Sequence, residues 1–213
     1  MNNSISLAYL ILIIAPLFSA YRGSVVKENN ASASFVFLRH VAGEKYSIDT
    51  KESVVAWKGS SVEGAHTGYV YISKGELMID NGQLMGGTVE IDMSTIEGED
   101  HRSDNNLINH LKDPDFFDVK KFPISTFAIT KVALADGENI NVTGNLTIKG
   151  ITHEVTFPAK MEVKDGIVKA NGKLGIDRTL WDVRYNSGKF YDNLADKTIS
   201  DSIEFHIKIV AKK

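Results

Sequence analysis

Between Ile140 and Ile176 the chain alternates apolar and polar residues in three consecutive runs. The first sets Ile140, Val142, Gly144, Leu146 and Ile148 against Asn141, Thr143, Asn145, Thr147 and Lys149. After Gly150 the apolar set is His153, Val155, Phe157, Ala159, Met161 and Val163, opposed by Glu154, Thr156, Lys160 and Glu162. After Asp165-Gly166 it is Val168, Ala170, Gly172, Leu174 and Ile176, opposed by Lys169, Asn171 and Lys173. Successive side chains of a strand point to opposite faces, so each run is a strand with one dry and one wet face. Glycine at both junctions supplies the positive φ of a tight hairpin. The spacing predicts a three-stranded antiparallel meander. Its dry face must be covered, by a second layer or by the sheet closing on itself.

Four members of the dry set, Gly144, Ala159, Ala170 and Gly172, are small and stand among large residues. A close-packed interior favours large, interdigitating side chains. Two readings fit these positions: they accommodate the taper and bends of a filled barrel, or they leave room for a ligand.

The same alternation recurs on both sides of the meander. Tyr46 and Ile48 open a first strand, Ser53 to Gly59 forms a second carrying Trp57, and Tyr69 to Ile72 a third. Lys74-Gly75 reads as a turn, Glu76 to Asp80 as a returning strand, and Asn81-Gly82 as a hairpin. Gly86-Gly87 marks a bulge or bend before Val89, Ile91 and Met93. Leu107, Ile108 and Leu111 have helical spacing, ending near Lys112, and Asp113-Pro114 suits the start of a further turn. Ile124 to Val132 and Ile203 to Ile209 complete the strands, with an irregular stretch from Asp177 to Lys197 before the last. About eight or nine strands joined mostly by hairpins, with one short helix, predict an all-β antiparallel fold. An up-and-down barrel is its simplest closure, because it leaves no sheet edge. About eight strands is the size at which a barrel either fills with side chains or holds one small ligand.

Residues 5–18 are almost wholly apolar, too short for a typical membrane span and suited to the core of a signal peptide. Residues 1–20 are therefore expected to be a signal peptide, 21–45 a leader remainder or linker, and 46–213 the folded domain. The protein is expected to be exported, with no transmembrane domain once the leader is removed. Of 213 residues, 43% are hydrophobic and 24% charged, which suits one globular domain with a sizeable core. The net charge of −3 is spread without a basic stripe, which argues against a nucleic-acid partner. Having no cysteine, the chain has no disulfide, thiol nucleophile or thiolate metal site.

Candidate chemistry is sparse. His40, His66, His101, His110, His153 and His206 are scattered, with no short metal-ligand spacing. Glu97, Glu99, Asp100, Asp104, Asp113, Asp115 and Asp118 crowd a polar stretch, the pattern of a solvated loop. No G-x-S-x-G elbow is present. Asp177-Arg178 is read as a structural ion pair. Phe127 reads as core. Adjacent Phe116 and Phe117 cannot share a strand face, and two readings fit them: plain core, or one plugging a barrel end while the other lines a ligand path.

Several of these segments together resemble one family. They are Tyr46-Ser-Ile-Asp49 with Ser53-Val-Val55, His66-Thr-Gly68, Asp92 and Ser94, and the run from His110 to Val119 with Phe122-Pro123 and Phe127. Gly144 to Thr152 with Val155, then Asp177-Arg178 with Trp181 and Val183, complete the ordered set. The chain from Tyr46 to about Val210 resembles the YceI-like proteins, bacterial lipocalin-like barrels that bind polyisoprenoids and other lipids. The resemblance implies a barrel holding a long amphiphile such as a polyisoprenoid, a quinone tail or a fatty acyl chain, and export to the periplasm. A carrier, storage or stress-related role in the cell envelope would follow, with no cofactor beyond the bound lipid and with homodimerisation left open. On that reading Trp57, His66, Phe116, Phe117 and Phe127 should line the lipid site. So should Val142, Leu146, Ile148, Val155, Phe157, Ala159, Ala170 and Leu174 from the meander. One alternative is an enzyme acting on a lipid-like substrate, with His66 as acid or base facing the cavity beside a carboxylate or hydroxyl. Another is a filled barrel with a structural or adhesive role.

Overall fold

The computed structural model describes residues 43–99 and 105–213. The segment expected to be a signal peptide, most of the expected linker, His40, Asp100, His101 and Asp104 lie outside the described residues. The strands are β1 (Glu44–Ile48), β2 (Val54–Ser61), β3 (Gly64–Asp80), β4 (Gln83–Gly98), β5 (Ile124–Leu134), β6 (Asn139–Ile148), β7 (Ile151–Lys164), β8 (Ile167–Asp177) and β9 (Ser202–Lys212). One helix, α1 (Asn105–Lys112), interrupts the connection from β4 to β5. Every pairing between these strands is antiparallel and mostly sequential, and β9 returns to pair with β1 and β2. The expected up-and-down barrel is therefore closed. No helix among the described residues is long and apolar enough to cross a membrane.

Nine strand segments make an eight-strand barrel because β1 and β2 are two halves of one position. Both lie between β3 and β9: β1 against Glu76 to Ile79, and β2 against Gly64 to Val70. On the β9 side Ile48 faces Ala211 and Val54 faces Lys208, so five residues, 49–53, oppose only Ile209 and Val210. The extra residues loop out as an Asx turn, with Asp49 Oδ1 accepting from the amides of Lys51 and Glu52. Ser53 then repairs the ladder. Its buried hydroxyl donates to Val210 O at 3.1 Å and accepts from Val210 N at 2.9 Å. Replacing Ser53 by alanine should leave the buried Val210 N–H without a partner. The expected loss is about 1–3 kcal/mol, read as a fall in the urea midpoint at unchanged m-value.

The meander forms as its alternation predicts. Ile140, Val142, Leu146 and Ile148 of β6, Phe157 and Met161 of β7, and Val168, Leu174 and Ile176 of β8 are all buried. The hairpins at Asn81-Gly82, Lys149-Gly150 and Asp165-Gly166 each place two residues at positive φ, as type I′ turns require. One expected turn is absent. Lys74-Gly75 does not reverse the chain; β3 runs unbroken for 17 residues, with a register shift against β4 between Ile72 and Lys74. Gly75 is needed there for close packing, since a Cβ would come within 2.6 Å of Ile48 Cδ1 and 2.7 Å of Thr88 O. Of the bulge or bend expected at Gly86-Gly87, the structure has a bulge: Met78 pairs with Gly86 while Ile79 pairs with Leu84.

The barrel interior is unevenly filled along its length. At the end of the β3–β4 and β7–β8 hairpins, Tyr46, Ile48, Ile79, Val168 and Ala211 pack into a dry plug. At the opposite end α1 contributes Ile108 and Leu111 to a second cluster with Val70, Met93, Ile96 and Val119. Between plug and helix lies open space.

Candidate functional site

That space is a cavity of 590 Å³ whose wall is overwhelmingly apolar and drawn from β2 to β9, α1 and the loops at the helix end. The glycines of the inner face have a particular use. A Cβ on Gly144 would lie 2.4 Å from Phe127 Cζ, and one on Gly172 would lie 2.8 Å from Phe157 Cε2. Gly68 likewise leaves space for the indole of Trp57, 2.5 Å from where its Cβ would stand. The three aromatic rings lie against backbone where side chains would otherwise stand, a cross-strand pairing of ring over glycine. Ala159 and Ala170 do open onto the cavity. The small residues thus serve both readings: glycines seat rings, and alanines leave volume.

Twelve of the expected lipid-site residues share this wall: Trp57, His66, Phe116, Phe117, Phe127, Val142, Leu146, Ile148, Phe157, Ala159, Ala170 and Leu174. Val155 does not. It is half-buried and packs against the core cluster. Phe116 and Phe117 both reach the wall, so a division of labour between them is too sharp a reading. Phe116 also joins His110 and Tyr185 in an aromatic group with ring centroids 4.6–5.3 Å apart. Phe127 lines the cavity as well as packing on Phe157, with 5.7 Å between centroids. The wall further includes Ile72, Ile91, Met93, Ile203, Phe205 and Ile207. Their alternation was visible in the sequence, but nothing there showed which stretch of each strand faces empty space.

The polar members of the wall gather mainly at one end. Ser60, Ser61, Glu63 and His66 come from the β2–β3 hairpin, and Asn186, Asp196, Lys197 and Ser200 from the connection between β8 and β9. Backbone bonds join the two: Ser200 N donates to Ser60 O at 2.8 Å and Val62 N to Thr198 O at 3.3 Å. His66 pairs across the ladder with Gly59 and lines this mouth. Its ring is exposed and engages no carboxylate or hydroxyl among the described residues, so the orienting partner that acid–base work requires is missing there. No group of three or more His, Asp or Glu among the described residues is arranged to hold a metal ion.

The connection from β8 to β9 is held by Arg178, which is 2% exposed. Its guanidinium donates to Ser200 O at 2.9 Å, Val183 O at 2.7 Å and Ile199 O at 3.0 Å. The expected Asp177–Arg178 pair is not formed. Arg178 faces Asp201 at 3.5 Å, while Asp177 accepts from Lys189 and caps the 3-10 turn Arg178–Trp181 through Thr179. Adjacent residues at a strand end point opposite ways, which separates the two. Burial pushes the Arg178 guanidinium below its ordinary value, against the opposing pull of Asp201 and Asp177. Burial raises Asp177, but the hydrogen bonds from Lys189 and Thr179 outweigh it and hold the carboxyl below the usual range.

The 3-10 turn has a second task. Pairing of β7 with β8 runs only from Ala159–Gly172 to Lys164–Ile167, so residues 151–158 have no ladder partner on that side. Trp181 covers this half of the wall. Its indole donates to Leu146 O at 3.2 Å and packs edge-on against His153, whose Nε2 donates to Leu180 O at 3.0 Å. His153 thus occupies a hydrogen-bonded seat beneath a tryptophan.

Residues 46–211 match the family model of the YceI-like domain. The chain belongs to the YceI-like family. Among relatives, it is 31% identical over 137 residues to protein YceI of Salmonella arizonae, covering 62% of this chain and 68% of that protein. A UPF0312 protein of Enterobacter sp. (strain 638) is 50% identical over 52 residues, which span 24% of this chain and 27% of that protein. Two solved structures share the YceI-like fold. BcnA of Burkholderia cenocepacia superposes with a TM-score of 0.65 at 24% identity, over 78% of this chain and 99% of that one. A polyisoprenoid binding domain from Saccharophagus degradans, implicated in plant cell wall breakdown, gives 0.58 at 13% identity, over 78% and 97%.

Proposed function

We propose that this YceI-like chain binds one long amphiphilic lipid in its barrel without catalysing a reaction, acting as a carrier or store. The ligand class is a polyisoprenoid, a quinone tail or a fatty acyl chain. The observation that carries this reading is an apolar cavity that is plugged at one end and polar at the other. Such a shape matches a molecule with a long tail and a small head. The polyisoprenoid binding domain of Saccharophagus degradans has the same fold, which supports the assignment. Catalysis is not needed for affinity. Burying about ten methylenes at ~0.8 kcal/mol each gives roughly 8 kcal/mol gross, from which the association cost of ~4–15 kcal/mol is subtracted. Longer chains and contacts to the head therefore decide the net affinity. The apolar leader in residues 5–18 supports export to the periplasm, which fractionation of an expressing bacterium tests directly.

Native mass spectrometry of the purified protein, followed by organic extraction, should reveal a long-chain lipid at one molecule per chain. A protein that is repeatedly lipid-free, and that takes up no long-chain lipid when offered it, would overturn the proposal.

A further inference from the structure

The barrel wall parts where β7 leaves β8. The last rung is Ala159–Gly172, and the next residue of β7, Pro158, has no N–H with which to add another. Nearer the mouth Trp181 covers the gap, at the level of His153 and Leu146. Between that cover and the last rung, the buried ring of Phe157 reaches across to Gly172, where an added Cβ would stand 2.8 Å from Cε2. Two observations bring cavity and outer surface together here. Asn171 has the outward parity of β8 and is exposed, yet it lines the cavity beside Ala170 and Gly172. A shallow hollow on the outside, formed with Asn139, Pro158, Lys160 and Lys173, shares Ala159, Asn171 and Gly172 with the cavity wall.

The polar mouth is strapped by comparison. Val62 N and Ser200 N donate across it to Thr198 O and Ser60 O, and the Arg178 guanidinium gathers the β8–β9 connection. Spreading the mouth breaks these bonds, whereas the seam beyond the last rung has no ladder bond to break. We infer that the β7–β8 seam is a side opening of the ligand site, through which a hydrocarbon tail enters and leaves the barrel between Phe157 and Gly172. This rests on the lipid-binding reading above. Phe157 is the movable part, because turning its ring clears a path over a residue that has no side chain. Lys160 and Lys173 flank the opening, with their ammonium groups held on Glu138 and Glu204. Their aliphatic stems offer a passing chain an apolar edge.

The chain has no cysteine, so single introduced thiols probe one place at a time. Asn171→Cys puts a thiol on the rim of the side opening and Ser61→Cys puts one at the polar mouth. Lys169→Cys puts one on the same outer face of β8, away from both. Each purified protein is modified with a bulky maleimide, and the uptake of radiolabelled eicosanol from phosphatidylcholine vesicles is followed in time. Release is followed on protein modified after loading. The label at position 171 should slow both by roughly tenfold or more, with clearly less effect at position 61 and none at 169. Slowing in both directions marks a barrier on the path, since a label that only weakened binding would speed release. Phe157→Leu takes the ring away from Gly172 and should speed exchange severalfold. Because one change closes the opening and the other widens it, loss of folding in either leaves the other to decide. If the label at 61 slows exchange and the label at 171 does not, the tail travels through the mouth and the side opening is overturned. Exchange that is unaltered by both the label at 171 and Phe157→Leu overturns it as well. Failure of eicosanol to load onto the folded, unlabelled parent would instead overturn the lipid-binding reading, and the side opening with it.

Discussion

Replacing Ala170 by tryptophan should abolish lipid binding while leaving thermal stability close to that of the parent protein. Ala170 is half-buried, lines the cavity and stands between Met161 and Ile209 across the ladder. A large ring added there enters volume already present, and so displaces ligand without forcing neighbours off their rotamers. A close-packed site would respond differently, with strain of about 1–3 kcal/mol or more. Val168 supplies that contrast. It sits two residues earlier on the same face of β8, is fully buried, and belongs to the plug. Val168→Trp should therefore lower the melting temperature by several degrees at least. Lipid uptake from vesicles and thermal unfolding, measured on both variants, give the answer. If Ala170→Trp destabilises as strongly as Val168→Trp, the cavity is not open at Ala170. If it keeps both its lipid and its stability, the inward assignment of Ala170 is wrong.

The contrast between those two positions also marks how far the sequence can be read. Val168 and Ala170 carry the same parity signal, and parity alone places both inside. What separates them is the level at which β1 closes onto β9, bringing Ile48 and Ala211 beside Val168. Such closure joins residues more than 150 positions apart, and no local pattern encodes it. The meander from Ile140 to Ile176 was legible because its period and its turn residues agree. Lys74-Gly75 was misread because glycine marks turns and close approaches alike, and only the packed strands show that Ile48 requires the space. The division of one barrel position between β1 and β2 was hidden for a related reason. Asp49 to Glu52 looks like an ordinary loop between two strands until Ser53 is seen bonding Val210. Twelve of the expected wall residues do converge on one cavity because nearly all lie on strands, where parity fixes direction. Val155 has the same parity but packs half-buried against the core cluster without reaching the cavity, on the half of β7 that has no ladder partner on β8.

Arg178→Met should be the most destabilising single change at the mouth. Methionine keeps much of the volume but none of the donors. Three carbonyls, of Val183, Ile199 and Ser200, would lose the guanidinium that gathers them, and Asp201 would lose its nearest buried cation. Asp201 Oδ1 already accepts no hydrogen bond among the described residues, and the cation that would remain, Lys189 Nζ at 3.4 Å from Oδ2, is itself exposed. Removing one partner of a buried pair costs about 3–5 kcal/mol, or roughly 6–20 °C in melting temperature for a domain of this size. Arg178→Lys should recover little, because a single ammonium cannot span three carbonyls fixed in different directions. Part of the loss has an identifiable source. If it comes from the stranded carboxylate, Asp201→Asn should restore about 0.5–3 kcal/mol in the Arg178→Met background, although alone it should destabilise. Chemical denaturation of the four proteins in that cycle measures the coupling. A coupling near zero would mean that Arg178 acts through the carbonyls alone, as a clamp on the β8–β9 connection. Either way the polar mouth, built partly from Asn186, Asp196, Lys197 and Ser200, should loosen, and lipid should leave faster from Arg178→Met than from the parent at a temperature where both are folded.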